Sequence, residues 1–283
     1  MPVGYDFHMV IMDGNAIAER MRGELKAAFS NFGRKPSLAI IQAGENAASS
    51  AFIARKEKTG EELGVGVRIF KFPESISGGE LRENISKMSH DESIDGIVVQ
   101  LPLPAHLNVQ DILNAVIPAK DVDMLSARSV GDFATGKTQL VSPVVGAVQK
   151  LLAEYNIDLQ GKKIVIVGAG RLVGQPIGAW LARKGIGYAL CTDQTPDISL
   201  YTKDADVIIT GAGKPKLITG SIIKEGVVII DAGTSESDGK LAGDVDAASV
   251  SEKAAFLSPV PGGVGPLTVA MIFENLLKRI KQK

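Results

Sequence analysis

The chain has almost no cysteine: a single residue, Cys191, in 283. An intramolecular disulfide is excluded, and such usage is that of an intracellular protein. It also lacks an excess of charge. Lys and Arg number 31 against 32 Asp and Glu, a net charge of -1, so no large field of one sign is present to recruit nucleic acid or an anionic membrane. Long apolar runs are missing as well. Those at 38–43, 96–101, 164–168 and 227–230 fall far short of the roughly 18 residues a membrane span needs. The opening residues show no basic stretch followed by an apolar one, so no secretory signal is expected. The three histidines (His8, His90 and His106) sit in no ligand spacing, and no metal site is expected. These absences describe a soluble, cytoplasmic protein without nucleic-acid or membrane partners.

Glycine is what the chain has in surplus, 31 of 283 residues, about 11% against a usual ~7%. The glycines gather at the ends of apolar runs, where α/β proteins turn tightly beside ligands. Short β-rich runs alternate with stretches of helical periodicity, the pattern of βαβ units and parallel sheet. The length is that of about two domains. In the first half, strands are expected at 37–42, 66–70 and 94–101, and helices at 14–29, 46–63, 79–88 and 109–116. Residues 118–143 show no clear period and read as an irregular connection. A helix at 144–155 leads to strands at 163–167, 187–191, 207–209, 227–231 and 255–257, and to a final helix at 267–281. The basic residues of its last turn suit the helix dipole.

The segment Lys163-Ile-Val-Ile-Val-Gly-Ala-Gly-Arg-Leu-Val-Gly174 runs from a buried-strand pattern into Gly168, Gly170 and Gly174. In such a turn the first glycine permits the bend, the second lets backbone approach a pyrophosphate, and the third packs helix against sheet. Strand before, helix after and a strand again within thirty residues supply the context, so a dinucleotide is expected here. Asp193 follows Gly174 by 19 residues, where a carboxylate can accept hydrogen bonds from a ribose and repel a 2′-phosphate. Arg171 could neutralise such a phosphate. NAD is therefore expected, with NADP left open.

A second glycine-rich element, Ser258-Pro-Val-Pro-Gly-Gly-Val-Gly-Pro-Leu-Thr268, is too rich in proline and glycine to read as helix or paired strand. It is expected to be a rigid loop at a strand end, with Pro261, Gly262 and Gly263 contacting ligand.

That loop, the segment Gly96-Ile-Val-Val-Gln-Leu-Pro-Leu-Pro104 and the tetrad Lys120-Asp-Val-Asp123 together resemble the bifunctional methylenetetrahydrofolate dehydrogenase/methenyltetrahydrofolate cyclohydrolase family. The likeness runs from Asp13-Gly14 to the last helix. It implies an α/β protein of two domains with a cleft between them. Residues 1–143 would form the folate domain, joined by the returning helix 267–283, and residues 144–266 a Rossmann-like NAD(P)-binding domain. It further implies tetrahydrofolate derivatives as substrates and a homodimer. By the same likeness Lys56 is the general acid/base, Gln100 its orienting partner and Asp123 the anchor of the pterin ring, with Asp121 the lesser of the two acids.

The chain departs from the family in several places. The tyrosine expected four residues before Lys56 is Phe52, which keeps a ring for stacking but not the hydroxyl. Asp123 is followed by Met124-Leu125-Ser126 in place of glycine and an aromatic or Leu, and Leu140-Val-Ser-Pro143 replaces a Pro-Cys-Thr-Pro. In the glycine turn an Arg-Ser pair that favours NADP is Ala169-Gly170, and the serine after the next strand is Asp193. Both of these changes point to NAD. The missing hydroxyl keeps one alternative in play, a dehydrogenase with weakened cyclohydrolase; a second, of another class, is a non-catalytic folate- or nucleotide-binding paralogue.

Overall fold

The computed structural model describes residues 9–237 and 240–282; His8 lies outside them. In chain order the elements are β1 (Val10–Ile11), α1 (Gly14–Phe29), β2 (Ser37–Ala43), α2 (Ala47–Leu63), β3 (Gly66–Phe72), α3 (Gly78–His90), β4 (Gly96–Val99), α4 (Val109–Leu113), α5 (Ala127–Ala134) and α6 (Pro143–Glu154). There follow β5 (Ile164–Val167), α7 (Gly174–Arg183), β6 (Tyr188–Cys191), α8 (Ser199–Thr202), β7 (Val207–Thr210), β8 (Val227–Asp231), the short hairpin of β9 (Ser235–Ser237) and β10 (Lys240–Ala242), α9 (Ala247–Val250), β11 (Ala254–Ser258) and α10 (Val264–Lys281). They fall into two compact units, one of residues 1–18 and 144–268, the other of 19–143 and 269–283. The class is α/β with parallel sheets.

In the unit of 19–143 and 269–283, three parallel strands stand in the order β3-β2-β4. The period of two sends alternate side chains of β2 to opposite faces. Leu38 and Ile40 meet Leu25 and Phe29 of α1, Ile53 of α2, and Phe273 and Leu276 of α10. Ala39 and Ile41 meet Leu81 and Ile85 of α3 and Ile112 of α4. A sheet covered on both faces explains strands that read as continuous apolar runs.

The other unit holds six parallel strands in the order β1-β11-β8-β7-β5-β6. The order reverses between β5 and β7, which makes a crevice at their carboxyl ends, the usual ligand position in such sheets.

Four expectations need correction. Residues 118–143 are not irregular throughout, because α5 occupies Ala127–Ala134, capped by Ser126, whose side chain accepts from the Ser129 N–H. Its eight residues are too few to establish a period against the Gly and Ser around them. The glycine- and proline-rich element is loop only to Gly263. Helix α10 begins at Val264 and takes in Gly265 and Pro266, since first-turn N–H groups have no intrahelical acceptor to lose. Strand β4 is shorter than 94–101. Finally, β1 pairs with β11 through Val10↔Phe256 and Ile11↔Leu257, so the opening residues join the six-stranded unit instead of the unit of residues 19–143.

Candidate active site

Helix α2 is fixed at both ends. The Asn46 side chain accepts from the Ser49 N–H at 3.1 Å, and Gly64 closes the helix at a left-handed φ of 75°. Ser49, Ile53, Lys56, Thr59 and Leu63 form its buried face in steps of three and four. Lys56 is therefore only 8% exposed, although it stands between Arg55 and Glu57.

Strand β4 ends at Val99, and the Gln100 backbone N–H continues to Ile41 O at 2.9 Å. Lys56 Nζ donates to Gln100 Oε1 at 2.7 Å, and Gln100 Nε2 donates to Leu101 O at 2.7 Å. The second bond orients the amide, leaving its oxygen for the lysine. A neutral acceptor holds the amine whether it carries two protons or three. Burial lowers the Lys56 pKa, opposed by the charge of Asp123. Asp123 itself, half-buried, is pushed up to about 6 by removal from water, with Lys56 working against the shift and Asp121 adding to it. A lysine drawn down and a carboxyl drawn up bring the proton affinities of the two groups closer together, the direction that acid–base work needs.

The rest of the tetrad is scaffold. Lys120 Nζ donates to Asp91 O at 2.6 Å, just beyond the end of α3. Asp121 accepts from the N–H groups of Leu125 (3.3 Å) and Ser126 (2.9 Å), which starts α5. Buried Asn275 of α10 donates to Val122 O at 2.9 Å and Val141 O at 2.8 Å, pinning the tetrad from behind. No motif marked Asn275; only its polar place in an apolar helix face gave a hint. Met124 takes a left-handed φ of 60° and is buried, at the position where the resembling family has glycine. Phe52 is half-buried one turn before Lys56, with the Arg55 guanidinium 5.6 Å from its ring centroid.

In the six-stranded unit, the glycine turn links β5 to α7. A Cβ on Gly168, whose φ is 99°, would stand 2.7 Å from Gly211 O, and one on Gly174 would stand 1.9 Å from Gly168 O. Both are required by the fold. Gly170 differs: a Cβ there would find Gly211 O at 3.9 Å and nothing nearer. Helix α7 has no side-chain cap, but the Val173 and Gln175 N–H groups already donate to Gly170 O, the Ile177 N–H donates to Val173 O, and Pro176 has no N–H. What this end offers a pyrophosphate is the helix dipole beside a glycine turn. Gly168 N–H donates to Cys191 O at 2.8 Å, which brings the end of β6 beside the turn. Thr192 and Thr195 close a tight turn there through the Thr192 N–H and Thr195 Oγ1 at 2.9 Å, leaving Asp193 exposed. Arg171 is half-buried in the glycine turn.

The loop 259–263 is locked within the same unit. Gly263 N–H donates to Pro259 O at 2.7 Å and Asn15 N–H to Gly262 O at 3.1 Å. A Cβ on Gly14 would lie 1.8 Å from Gly263 O, so a glycine at position 14 is a packing requirement. Pro261 follows a cis peptide bond, and Gly262 has a φ of 109°. The structure therefore brings Phe52, Lys56, Gln100 and Asp123 together in one unit. It places Gly168, Gly170, Arg171, Gly174, Asp193, Pro261, Gly262 and Gly263 in the other. His90 Nδ1 and His106 Nε2 each pair with a backbone carbonyl. Among the described residues no cluster of His, Cys, Asp and Glu could hold a metal ion, and no helix is long and apolar enough to cross a membrane.

Two family models match the chain. "Tetrahydrofolate dehydrogenase/cyclohydrolase, catalytic domain" matches residues 12–123, and "Tetrahydrofolate dehydrogenase/cyclohydrolase, NAD(P)-binding domain" matches residues 131–283. The bifunctional protein FolD of Sulfurihydrogenibium sp. is 41% identical over 281 residues, covering 97% of this chain and 99% of that one. The crystal structure of the bifunctional methylenetetrahydrofolate dehydrogenase/cyclohydrolase from Campylobacter jejuni superposes with a TM-score of 0.92 at 39% identity, over 97% of this chain and 99% of that one. The enzyme of Trypanosoma brucei, solved with NADP and an inhibitor, also reaches 0.92 at 30% identity, over 97% and 98%.

Proposed function

The chain belongs to the tetrahydrofolate dehydrogenase/cyclohydrolase family, and from that premise we propose how its own residues divide the work. The enzyme oxidises methylenetetrahydrofolate to methenyltetrahydrofolate with a nicotinamide cofactor and hydrolyses that product to formyltetrahydrofolate. The observation that carries the assignment of roles is the buried Lys56–Gln100 hydrogen bond beside Asp123.

Asp123 accepts N–H bonds from the aminopyrimidinone edge of the pterin, a planar donor pair that suits a carboxylate. Phe52 offers its ring to the aromatic part of the folate, with Pro261, Gly262 and Gly263 as further substrate contacts. Lys56 takes and returns the proton of the hydrolytic step, held in place by Gln100. Burial lowers its pKa, and loss of a tyrosine hydroxyl at position 52 leaves the amine itself in place. Gly168, Gly170, Arg171, Gly174 and Asp193 hold the dinucleotide. When bound, its nicotinamide ring supplies the acceptor for the hydride.

The preferred cofactor is NAD. Asp193 stands exposed beside the glycine turn, and Gly170 leaves room where a phosphate-binding serine would otherwise project. The Trypanosoma brucei relative carries NADP, so the change at these positions is the substance of the proposal. Because Asp193 is exposed, solvent screens it, and the Asp193→Ser variant is expected to lower the NAD/NADP ratio of kcat/KM several-fold, not to invert it outright. An unmoved ratio would remove Asp193 from the assignment.

The enzyme is taken to work as a cytoplasmic homodimer, a reading supported by family likeness and tested by sedimentation. The function is tested by one assay with methylenetetrahydrofolate and either NAD or NADP. Reduction of the cofactor without a build-up of methenyl product is expected. A persistent methenyl band would instead favour the dehydrogenase with weakened cyclohydrolase.

A further inference from the structure

Two buried carboxylates lie outside every motif read from the sequence. Asp244 is fully buried at the end of the β9–β10 hairpin. Its Oδ2 accepts from Thr210 Oγ1 at 2.7 Å and from the Ala212 N–H at 2.6 Å, and its Oδ1 accepts from the Lys214 N–H at 2.8 Å. Both oxygens are thus spent on Thr210, the last residue of β7, and on the loop that follows it. Asp231, the last residue of β8, holds Asp244 in turn. Its Oδ1 accepts from the N–H groups of Gly233 (2.9 Å) and Asp244 (3.2 Å), and its Oδ2 accepts from the Val245 N–H at 3.0 Å. Asp231 N–H donates to Ser258 Oγ at 2.9 Å, which ties in the end of β11. Two glycines make room for the pair: a Cβ on Gly233 would stand 2.3 Å from Asp244 Cγ, and one on Gly243 would stand 2.1 Å from Asp231 Oδ2.

The loop held this way is not remote from the cofactor turn. Gly211 N–H donates to Val167 O at 2.8 Å, and the Gly168 Cα faces Gly211 O so closely that no side chain fits between them. This is the crevice where the strand order reverses, between the carboxyl ends of β5 and β7. In a dinucleotide fold built of two mononucleotide halves, β5, α7 and β6 take the first nucleotide, and the strands beyond the reversal take the second. Burying two carboxylates side by side is costly unless every lone pair is used. A network this complete, placed under one loop, fixes that loop's backbone.

We propose that Asp244 is a positioning residue for hydride transfer. It clamps the backbone of residues 211–214 against the glycine turn and so sets where the nicotinamide half of the cofactor rests. Asp231 supports it from below. The proposal rests on the dehydrogenase reading above, and it predicts a separation of activities. Hydrolysis of methenyltetrahydrofolate needs no nicotinamide, and its proton carrier Lys56 lies with Gln100 and Asp123 in the other unit.

The test compares wild type with Asp244→Asn and with the milder Thr210→Val. An amide at position 244 turns one acceptor into a donor that faces backbone N–H groups, whereas valine at 210 only removes one bond. Displacement of a reacting group by about 1 Å can cost roughly 100-fold, so kcat of the dehydrogenase is expected to fall at least about tenfold in Asp244→Asn, with a smaller fall in Thr210→Val. Hydrolysis of added methenyltetrahydrofolate without any nucleotide, and calorimetric binding of ADP-ribose, should both stay within about twofold. In the nucleotide-free protein, hydrogen exchange at the amides of Ala212 and Lys214 should quicken while exchange in β5 holds. Parallel loss of hydrolysis and ADP-ribose binding in both variants would mean a general structural role and overturn the proposal. So would unchanged dehydrogenase turnover. Wild-type protein that reduces neither NAD nor NADP would strike the underlying reading instead, and the proposal with it.

Discussion

Lys56 shows how one side chain acquires its chemistry from its helix. In the run Arg55-Lys56-Glu57-Lys58 only position 56 falls on the buried face of α2, and burial lowers its pKa while Asp123 raises it. The sign of the coupling is testable. In Asp123→Asn the opposing charge is gone, so the Lys56 pKa should fall further, and competitive acylation of Lys56 should reach half-maximal reactivity at lower pH than in wild type. A shift to higher pH would mean that Asp123 is not the charge that faces Lys56. In the sequence this lysine looked like one of a solvated group; the family likeness singled it out, and the helix geometry explains why. Met124 was legible only as a departure. Its left-handed backbone costs about 1–2 kcal/mol, but removing a buried methionine costs about 2–5 kcal/mol. Met124→Gly should therefore lose stability on balance, despite a more comfortable backbone, as measured by urea unfolding.

At the scale of elements, the glycine turn separates two reasons for the same residue. Gly174 meets Gly168 O, and Gly170 meets nothing close. Gly174→Ala is expected to lower the thermal midpoint by several degrees, the effect of a core clash of roughly 1–3 kcal/mol. Gly170→Ala should keep both the midpoint and dinucleotide binding, since an added Cβ meets nothing nearer than 3.9 Å and the family carries a serine there. Equal effects of the two variants on both measurements would contradict this division. The sequence reading gave the second glycine to the pyrophosphate and the third to packing, but spacing alone does not reveal what each missing Cβ would touch. The same limit explains the misread start of α10. Gly265 and Pro266 oppose a helix by composition, yet the first turn has no hydrogen bond for them to break. Strand β1 escaped notice for a different reason, since two exposed residues carry no alternation. The long strands and helices were legible because both faces of β2 are covered, and burial on that scale writes itself into every residue.

For the molecule as a whole, Asp231 makes a pH-dependent contribution to stability. Burial pushes its pKa up to about 6 from 3.8, against three N–H bonds that favour the charged form. The folded state therefore holds the proton longer than the unfolded chain. The contribution of this group is greatest below about pH 4 and declines as pH rises through about 6, by on the order of 2–3 kcal/mol. Unfolding free energies of wild type and Asp231→Asn, taken from pH 4 to 8, should diverge in slope across that window, with wild type losing more on the way up. Parallel profiles would show that the carboxyl is not held protonated by the fold. This network was invisible to sequence reasoning, because Asp231 and Asp244 belong to separate segments with no shared motif. The two-unit plan was readable from chain length and the family likeness, but the assignment of the first residues to the later unit was not.

That assignment has a consequence for synthesis. β1 pairs with β11, whose residues are made about 240 positions later, and the core of the other unit draws Phe273, Leu276 and Leu277 from α10. Domains commonly fold one after another as they leave the ribosome. Here neither unit owns all of its strands and core residues until β11 and α10 have emerged, so the two must reach completion together rather than in turn.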